Sequence, residues 1–229
     1  EEDMDIIKFD KISFSYGRRK GDLPIIKNFE LSIAEKEITL IYGKSGLGKT
    51  TILNIIAGLL KPQQGQVIVD EQNIYDLSAR ELDKYRSKKI GFIFQMFYLI
   101  PQFTAVDNVV IGMKNIRGSY QEKRKIAMEL LDRLEIGDKG ETYPELLSGG
   151  QQQRVAIARA LANDSKIILA DEPTGNLDKD TASEVSGILE QLRNEGKTIV
   201  IVSHDEHMKE ISDRIVMLDK EYMSRTGVM

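Results

Sequence analysis

The stretch EITLIYGKSGLGKTT, residues 37–51, decides the fold. Its first half is a β-branched, apolar run that reads as a buried strand. Gly43-x-x-x-x-Gly48-Lys49-Thr50 follows without a break. Ile52, Ile55, Ile56 and Leu59 then recur at the i, i+3, i+4, i+7 spacing of one helix face. Strand, glycine-rich loop and helix in that order make a phosphate-binding loop. Glycines let the backbone N–H groups from Gly43 through Lys44, Ser45, Gly46, Leu47 and Gly48 to Thr51 turn inward around phosphate oxygens. The start of the helix adds the positive end of its dipole. Lys49 can reach the β- and γ-phosphates of a nucleotide, and Thr50 can hold Mg²⁺.

Outward from this stretch, three more short β-branched runs read as buried parallel strands: KIILAD (166–171), KTIVIVSH (197–204) and DRIVMLD (213–219). A second helical pattern, Val185, Ile188, Leu189 and Leu192, separates two of them. The N-terminal third is β-rich. KISFSYG (11–17) alternates, with Ile12, Phe14 and Tyr16 on one face, and GQVIVD (65–70) and IGFIFQ (90–95) are further strand candidates. Residues 96–160 differ: they hold a strongly helical run, 120–136, and no convincing strand. The expected fold is α/β: a core built on the phosphate-loop NTPase plan with a mainly parallel sheet, an N-terminal antiparallel β subdomain and an inserted α-helical subdomain. In this reading, 1–95 and 161–229 form the β subdomain and core, and about 96–160 form the helical insert, all within one domain. The insert opens on QMFYLIPQFT (95–104), an apolar, aromatic, Pro-containing stretch that reads as a surface loop suited to contact.

Two further stretches carry chemistry. In IILADEP (167–173) an apolar strand ends in Asp171, placing a carboxylate where Mg²⁺ would sit. Glu172 follows at once, where it could orient or deprotonate water. In LLSGGQQQRVAIARAL (146–161), Ser148 and two glycines precede a helical run, which is how a chain builds an anion site at a helix start. One small chain thus owns two phosphate cradles, only one of them with a lysine.

LSGGQQQR, the phosphate loop, ILADEP and SHD in this order resemble the ATP-binding subunit of an ABC transporter. The resemblance covers about residues 4–219, and LSGGQ is its most specific element. It implies an ATPase whose two copies stack head to tail. Each ATP then lies between the phosphate loop of one copy and the Ser148, Gly149, Gly150 and Gln151 stretch of the other. By the same resemblance Tyr16 stacks on adenine, and Gln95 is the Q-loop glutamine contacting Mg²⁺ or the attacking water. Asp178 is the D-loop aspartate at the dimer interface, and His204 is the switch histidine that bonds the γ-phosphate. Leu47 departs from the family's usual small polar residue, but only its backbone N–H matters there. The catalytic set is therefore Glu172, His204 and Gln95, the metal set Thr50, Gln95 and Asp171, and the cofactors ATP and Mg²⁺.

Composition sets the outer bounds. A net charge of −4 gives no footprint for nucleic acid, and the absence of cysteine with only two histidines argues against disulfides and thiolate or His-rich metal centres. No apolar run approaches the roughly 20 residues of a membrane helix, and no secretory signal is visible. Residues 69–109 and 170–178 are similar to the group of macrolide exporters, lipoprotein-releasing transporters and the cell-division ATPase. That resemblance implies a partner permease with few membrane helices and a large external domain. The resemblance also allows an adaptor protein as a further partner. The permease contact is expected at Phe97, Tyr98, Leu99 and Pro101, and the location on the cytoplasmic face of the membrane. Export or extraction of peptide, drug or lipoprotein is the expected task; the other reading is mechanotransmission without cargo, as in cell division. Soluble ABC proteins of DNA repair or translation fit poorly, because neither a long coiled coil nor a second ABC domain is present.

Overall fold

The computed structural model describes residues 5–17 and 25–219. A five-stranded parallel sheet runs in the order β6 (Ile90–Ile93), β7 (Ile167–Asp171), β8 (Thr198–Ser203), β3 (Ile38–Gly43) and β9 (Arg214–Leu218). A four-stranded antiparallel sheet has the order β2 (Ile26–Ala34), β1 (Asp5–Phe14), β4 (Gln64–Val69) and β5 (Gln72–Asn73). β9, at the sheet edge, buries Val216 and Leu218 but exposes Ile215 and Met217, so it is not the buried strand its apolar run predicts. β7, β8 and β3 have neighbours on both faces, which is why they read as unbroken apolar runs rather than alternations. Their parity sorts the core. Leu40, Ile168, Ala170 and Ile201 face one cluster, with the helices of the insert. Ile41, Leu169, Val200 and Val202 face the other, with helix α1 (Lys49–Ile56) and the antiparallel sheet.

Several boundaries differ from the sequence reading. The first strand begins at Asp5 and ends at Phe14, so Tyr16 lies beyond it; Ile12 and Phe14 are buried while Tyr16 is exposed. β2 has no counterpart in the sequence reading, because an irregularity at Asn28 (φ 50°) interrupts the period-2 pattern of Ile26, Phe29, Leu31 and Ile33. β6 stops at Ile93, which leaves Gln95 in the following turn. α1 ends at Ile56, and Leu59, beyond it, is exposed.

The insert carries α3 (Ala105–Val110), α4 (Tyr120–Arg133) and α5 (Gly149–Leu161); α6 (Lys179–Asn194) follows β7. α4 stops before Ile136 because Glu135 turns left-handed at φ 57°. The insert has no separate core: Val106, Val109, Leu131 and Val155 pack in one cluster with Ile93 and Ile168 of the parallel sheet.

α1 must be held firmly, since its start forms the phosphate loop. Its C-terminal end is held from α2 (Ala79–Lys89), itself begun by a Ser78/Glu81 capping box, and from the turn before it. The Tyr85 hydroxyl donates to the Ile56 carbonyl at 2.7 Å, and Tyr75 donates to Ile55 at 2.7 Å and to Leu60. Arg86 reaches the Gly58 carbonyl at 3.1 Å. The Ile56 carbonyl is one that a helix end leaves unpaired; Ile55 also accepts from the Gly58 N–H at 3.0 Å, and Gly58 and Leu60 lie just beyond the helix. Burial pushes both phenols up, so they remain donors. Tyr85→Phe leaves the Ile56 carbonyl buried and unpaired. It should lower stability by about 1–3 kcal/mol, seen as a lower urea midpoint at unchanged slope; an unmoved midpoint would mean the carbonyl finds another donor.

Candidate functional site

The loop between β3 and α1 closes around its own lysine. Gly46 (φ 83°) and Gly48 (φ 82°, the cap of α1) are left-handed, a conformation that side chains with a Cβ resist. Lys49 is buried, and its ammonium donates to the carbonyls of Gly43 at 2.6 Å and Lys44 at 3.2 Å. Loop and sheet edge together line a cavity of about 340 Å³. Ser45, Gly46, Gly48, Lys49, Thr50 and Thr51 form its loop side; Gln95, Asp171 and Glu172 form its sheet side. Tyr16 and Ile25 close it at the antiparallel sheet. The Tyr16 hydroxyl lies 3.0 Å from the Thr51 hydroxyl, and its ring meets Phe14 edge-on.

At the sheet edge, Asp171 ends β7 and accepts from the Thr50 hydroxyl at 3.1 Å. Burial raises its pKa, a cost that an entering cation would reverse. A hydroxyl and one carboxylate are hard oxygen donors of the kind that hold Mg²⁺ together with phosphate oxygens. Among the described residues no cluster of three or more acids, histidines or cysteines could hold a metal alone. The donor set therefore fits Mg²⁺ brought with a nucleotide.

Glu172 is held from every side. Its backbone is left-handed at φ 44°, and its N–H donates to Val202 at 2.9 Å. One carboxylate oxygen accepts from the Ser203 hydroxyl at 2.8 Å and the His204 N–H at 3.3 Å. The other faces His204 Nδ1 at 2.9 Å and Lys49 Nζ at 3.5 Å. A carboxylate so fixed beside a phosphate cradle is placed to take a proton from water.

Not every candidate converges here. His204 touches Glu172, but its ring lies on a neighbouring cavity of about 700 Å³, together with Gly43, Lys44 and Leu47. Asp178 caps α6, accepting from the Thr181 N–H at 3.1 Å and hydroxyl at 2.7 Å, which holds its carboxyl below the usual range. Ser148, Gly149, Gly150 and Gln151 are absent from the lining of either cavity. Ser148 caps α5 in a reciprocal box with Gln151. The glycine at 150 is demanded by packing: a Cβ there would lie 2.3 Å from Thr181 Cγ2 of α6, whereas one at 149 would come no nearer than 3.6 Å to a neighbour, Leu177.

Sequence reasoning passed over the residues that hold these groups. Ser203 stood beside His204 in the SHD stretch, one residue from notice. Asn176 donates to the Gln95 carbonyl at 2.9 Å, and the fully buried Gln153 donates to the Pro173 carbonyl at 2.7 Å. Gln153 lies in the QQQ run, where spacing does not distinguish the buried glutamine from the other two.

Comparison with known proteins agrees with this architecture. The family model described as "ABC transporter" matches residues 26–175. The chain is 45% identical over 218 residues to an uncharacterised ABC transporter ATP-binding protein, MJ0796, of Methanocaldococcus jannaschii, covering 93% of each. It is 46% identical over 196 residues to the lipoprotein-releasing system ATP-binding protein LolD 1 of Chlorobium chlorochromatii, covering 85% of this chain and 80% of that one. It is 43% identical over 204 residues to the macrolide export ATP-binding/permease protein MacB of a Shewanella species, of whose length it spans 31%. Among solved structures, a dimeric post-hydrolysis state of MJ0796 bound to ADP and Pi superposes with a TM-score of 0.84 at 43% identity, covering 93% of this chain and 94% of that one.

Glu172→Gln keeps the side-chain shape and removes the base. Nucleotide hydrolysis should fall by roughly 10²–10⁴-fold while nucleotide still binds. Turnover at the parent rate would show that another group activates the water.

Proposed function

Since the chain belongs to the ABC transporter family and is its ATP-binding, ATP-hydrolysing component, we propose that it works as a head-to-tail homodimer powering a separate membrane permease, from the cytoplasmic face. The observation that carries the dimer is the separation of the two cradles. The cavity of Lys49 and Asp171 takes no residue from 148–151. A helix start built for an anion, but remote from the chain's own phosphate loop, finds its ligand on a second copy. The dimeric state of the superposable MJ0796 cassette supports the same reading.

In this reading the loop N–H groups and Lys49 bind the β- and γ-phosphates, and Tyr16 stacks on adenine. Thr50, Asp171 and Gln95 would hold Mg²⁺, which would neutralise charge on the phosphates. Water attacks the γ-phosphorus and gives its proton to Glu172; the bond to the bridging β–γ oxygen breaks, leaving ADP and phosphate. Ser203 and His204 keep the Glu172 carboxylate aimed, and His204 also meets the γ-phosphate. Ser148, Gly149, Gly150 and Gln151 close on that phosphate from the second copy, with Asp178 at the interface.

The permease contact falls at the turn after Gln95. Tyr98 is 64% exposed beside exposed Met96 and Pro101, while Phe97 and Leu99 are half-buried. Next to it runs a groove of about 720 Å³ lined by Phe92 and Phe94 and by Arg80, Lys84 and Arg86, with Asp83 pairing to Arg86. Aromatic rings beside the cations of Arg80 and Lys84 suit an amphipathic partner helix carrying acidic residues. The kinship with lipoprotein-releasing and macrolide-export proteins supports a permease of that type, moving peptide, drug or lipoprotein, with an adaptor protein where the system has one.

Mixing variants tests the dimer. Ser148→Arg blocks the second cradle and Lys49→Ala the first. Each alone should hydrolyse little, yet Ser148→Arg should bind ATP normally as a monomer. In a head-to-tail pair one composite site carries both defects and the other neither, so the mixture should regain activity. Loss of ATP affinity by monomeric Ser148→Arg would instead place both cradles on one nucleotide.

Tyr98→Asp tests the contact. Stimulation of ATPase by the co-expressed permease should fall to a ratio of about one, as expected when a charge is buried in an apolar interface. Stimulation at the parent ratio would move the contact elsewhere.

A further inference from the structure

The turn after Gln95 is strained, and one side chain holds it. Phe97 (φ 56°) and Tyr98 (φ 48°) are successive left-handed residues, neither a glycine. Their carbonyls both point at Arg159 of α5. Its guanidinium donates to Phe97 at 2.5 Å and to Tyr98 at 2.6 Å. Among the described residues Arg159 makes no ion pair with a carboxylate, so a partly buried cation is spent on two backbone oxygens. The other end of the turn is held by Asn176, through the Gln95 carbonyl. Arg159 stands eleven residues after Ser148 on the same helix, about 16 Å along its axis.

We infer that Arg159 is a positioning residue: its two-pronged contact fixes the left-handed turn at Phe97 and Tyr98, and so ties Gln95 and the exposed apolar residues to the helix whose start is the second phosphate cradle. A rigid helix passes any shift at Ser148 to the turn, and the planar fork gives each carbonyl its own nitrogen at a fixed spacing, Nη1 to Tyr98 and Nη2 to Phe97. A lysine supplies the charge but not that geometry. The inference deepens the proposed ATPase reading and rests on it for the kinetic part of its test.

The chain has no tryptophan, so Tyr98→Trp places a single reporter in the turn. In that background the full chain is compared with Arg159, Arg159→Lys and Arg159→Met. Arg159→Met should lower tryptophan anisotropy and raise acrylamide quenching about twofold. It should also cut kcat for ATP by about ten- to a hundredfold, the scale of a misplaced group, with KM within about twofold because the phosphate loop is intact. Arg159→Lys should fall between. Adding Phe97→Gly to Arg159→Met should recover part of kcat, since glycine accepts a positive φ without strain. A helix-packing role alone would lower the melting temperature and leave the anisotropy and the kcat-to-KM split unmoved. Unchanged anisotropy in Arg159→Met, loss of ATP affinity in place of kcat, or no recovery with Phe97→Gly would each overturn the inference. Should Arg159→Met fail to fold, Arg159→Lys decides by the same readings, parent-like values in it counting against the fork. A folded parent chain with no ATPase would sink the catalytic reading instead, and the anisotropy comparison would still judge the turn.

Discussion

The contact between Lys49 and Glu172, 3.5 Å apart and both nearly buried, is the one on which the rest of the structure depends. A buried ion pair contributes little net stability, since desolvation cancels most of the attraction. What it fixes is position: the start of α1 against the end of β7. Each partner is anchored from behind. α1 is held at its far end by Tyr75, Tyr85 and Arg86, and β7 lies between β6 and β8 in the sheet. The ammonium shares its hydrogen bonds with the loop carbonyls, and the carboxylate shares its own with Ser203 and His204. A phosphate entering the loop would draw the lysine from the carboxylate, which would stay aimed by its other donors. Binding and chemistry are thus adjacent but separately supported.

The second organising element is α5. It leans on three segments in turn along its length. Gly150 admits Thr181 at the start of α6, Gln153 bonds Pro173 just after Glu172, and Arg159 holds the carbonyls after Gln95. All three segments follow carboxyl ends of the parallel strands or cap a helix beside them. The amide oxygen of Gln153 is buried with no partner, so that link relies on one bond to a turn whose preceding residue is already left-handed. α5 is therefore tied to the turn at Glu172 of its own chain, while its start lines neither cavity of that chain.

How far the sequence carried follows from the kind of signal each part leaves. The inner parallel strands were legible because burial on both faces demands unbroken apolar runs, as in IILAD and TIVIVS. The phosphate loop was legible because its glycines and lysine are spaced by chemistry. β2 was not, since the left-handed Asn28 breaks its alternation, and α2 was not, although Ser78 and Glu81 spell a capping box. The strand that IGFIFQ promised is shorter than its apolar pattern: Phe94 stacks on Phe92 beyond the ladder, so hydrophobicity continues where hydrogen bonding stops. In the site, residues that touch a ligand's place carry motif signals, whereas Ser203, Asn176 and Arg159 act on backbone or on another side chain. Their partners lie from about thirty to eighty residues away in sequence, and no local pattern encodes such a pairing.

The LSGG stretch shows how one run of letters meets two demands at once. The capping box takes the N–H of Gln151 on the Ser148 hydroxyl oxygen and the N–H of Ser148 on the Gln151 side chain. It leaves the N–H groups of Gly149 and Gly150 without acceptors inside the helix, because the first turn has none to offer. The Ser148 oxygen accepts within the box, so its own hydrogen is available to donate outward. Three donors then share the positive end of α5, the arrangement an anion needs. Of the two glycines, only Gly150 is also demanded by packing, through Thr181. That same threonine binds Asp178, so the residue that excludes a side chain at 150 also holds the cap of α6. A substitution at Gly150 would therefore disturb the starts of α5 and α6 together, whereas one at Gly149 would act on the start of α5 alone.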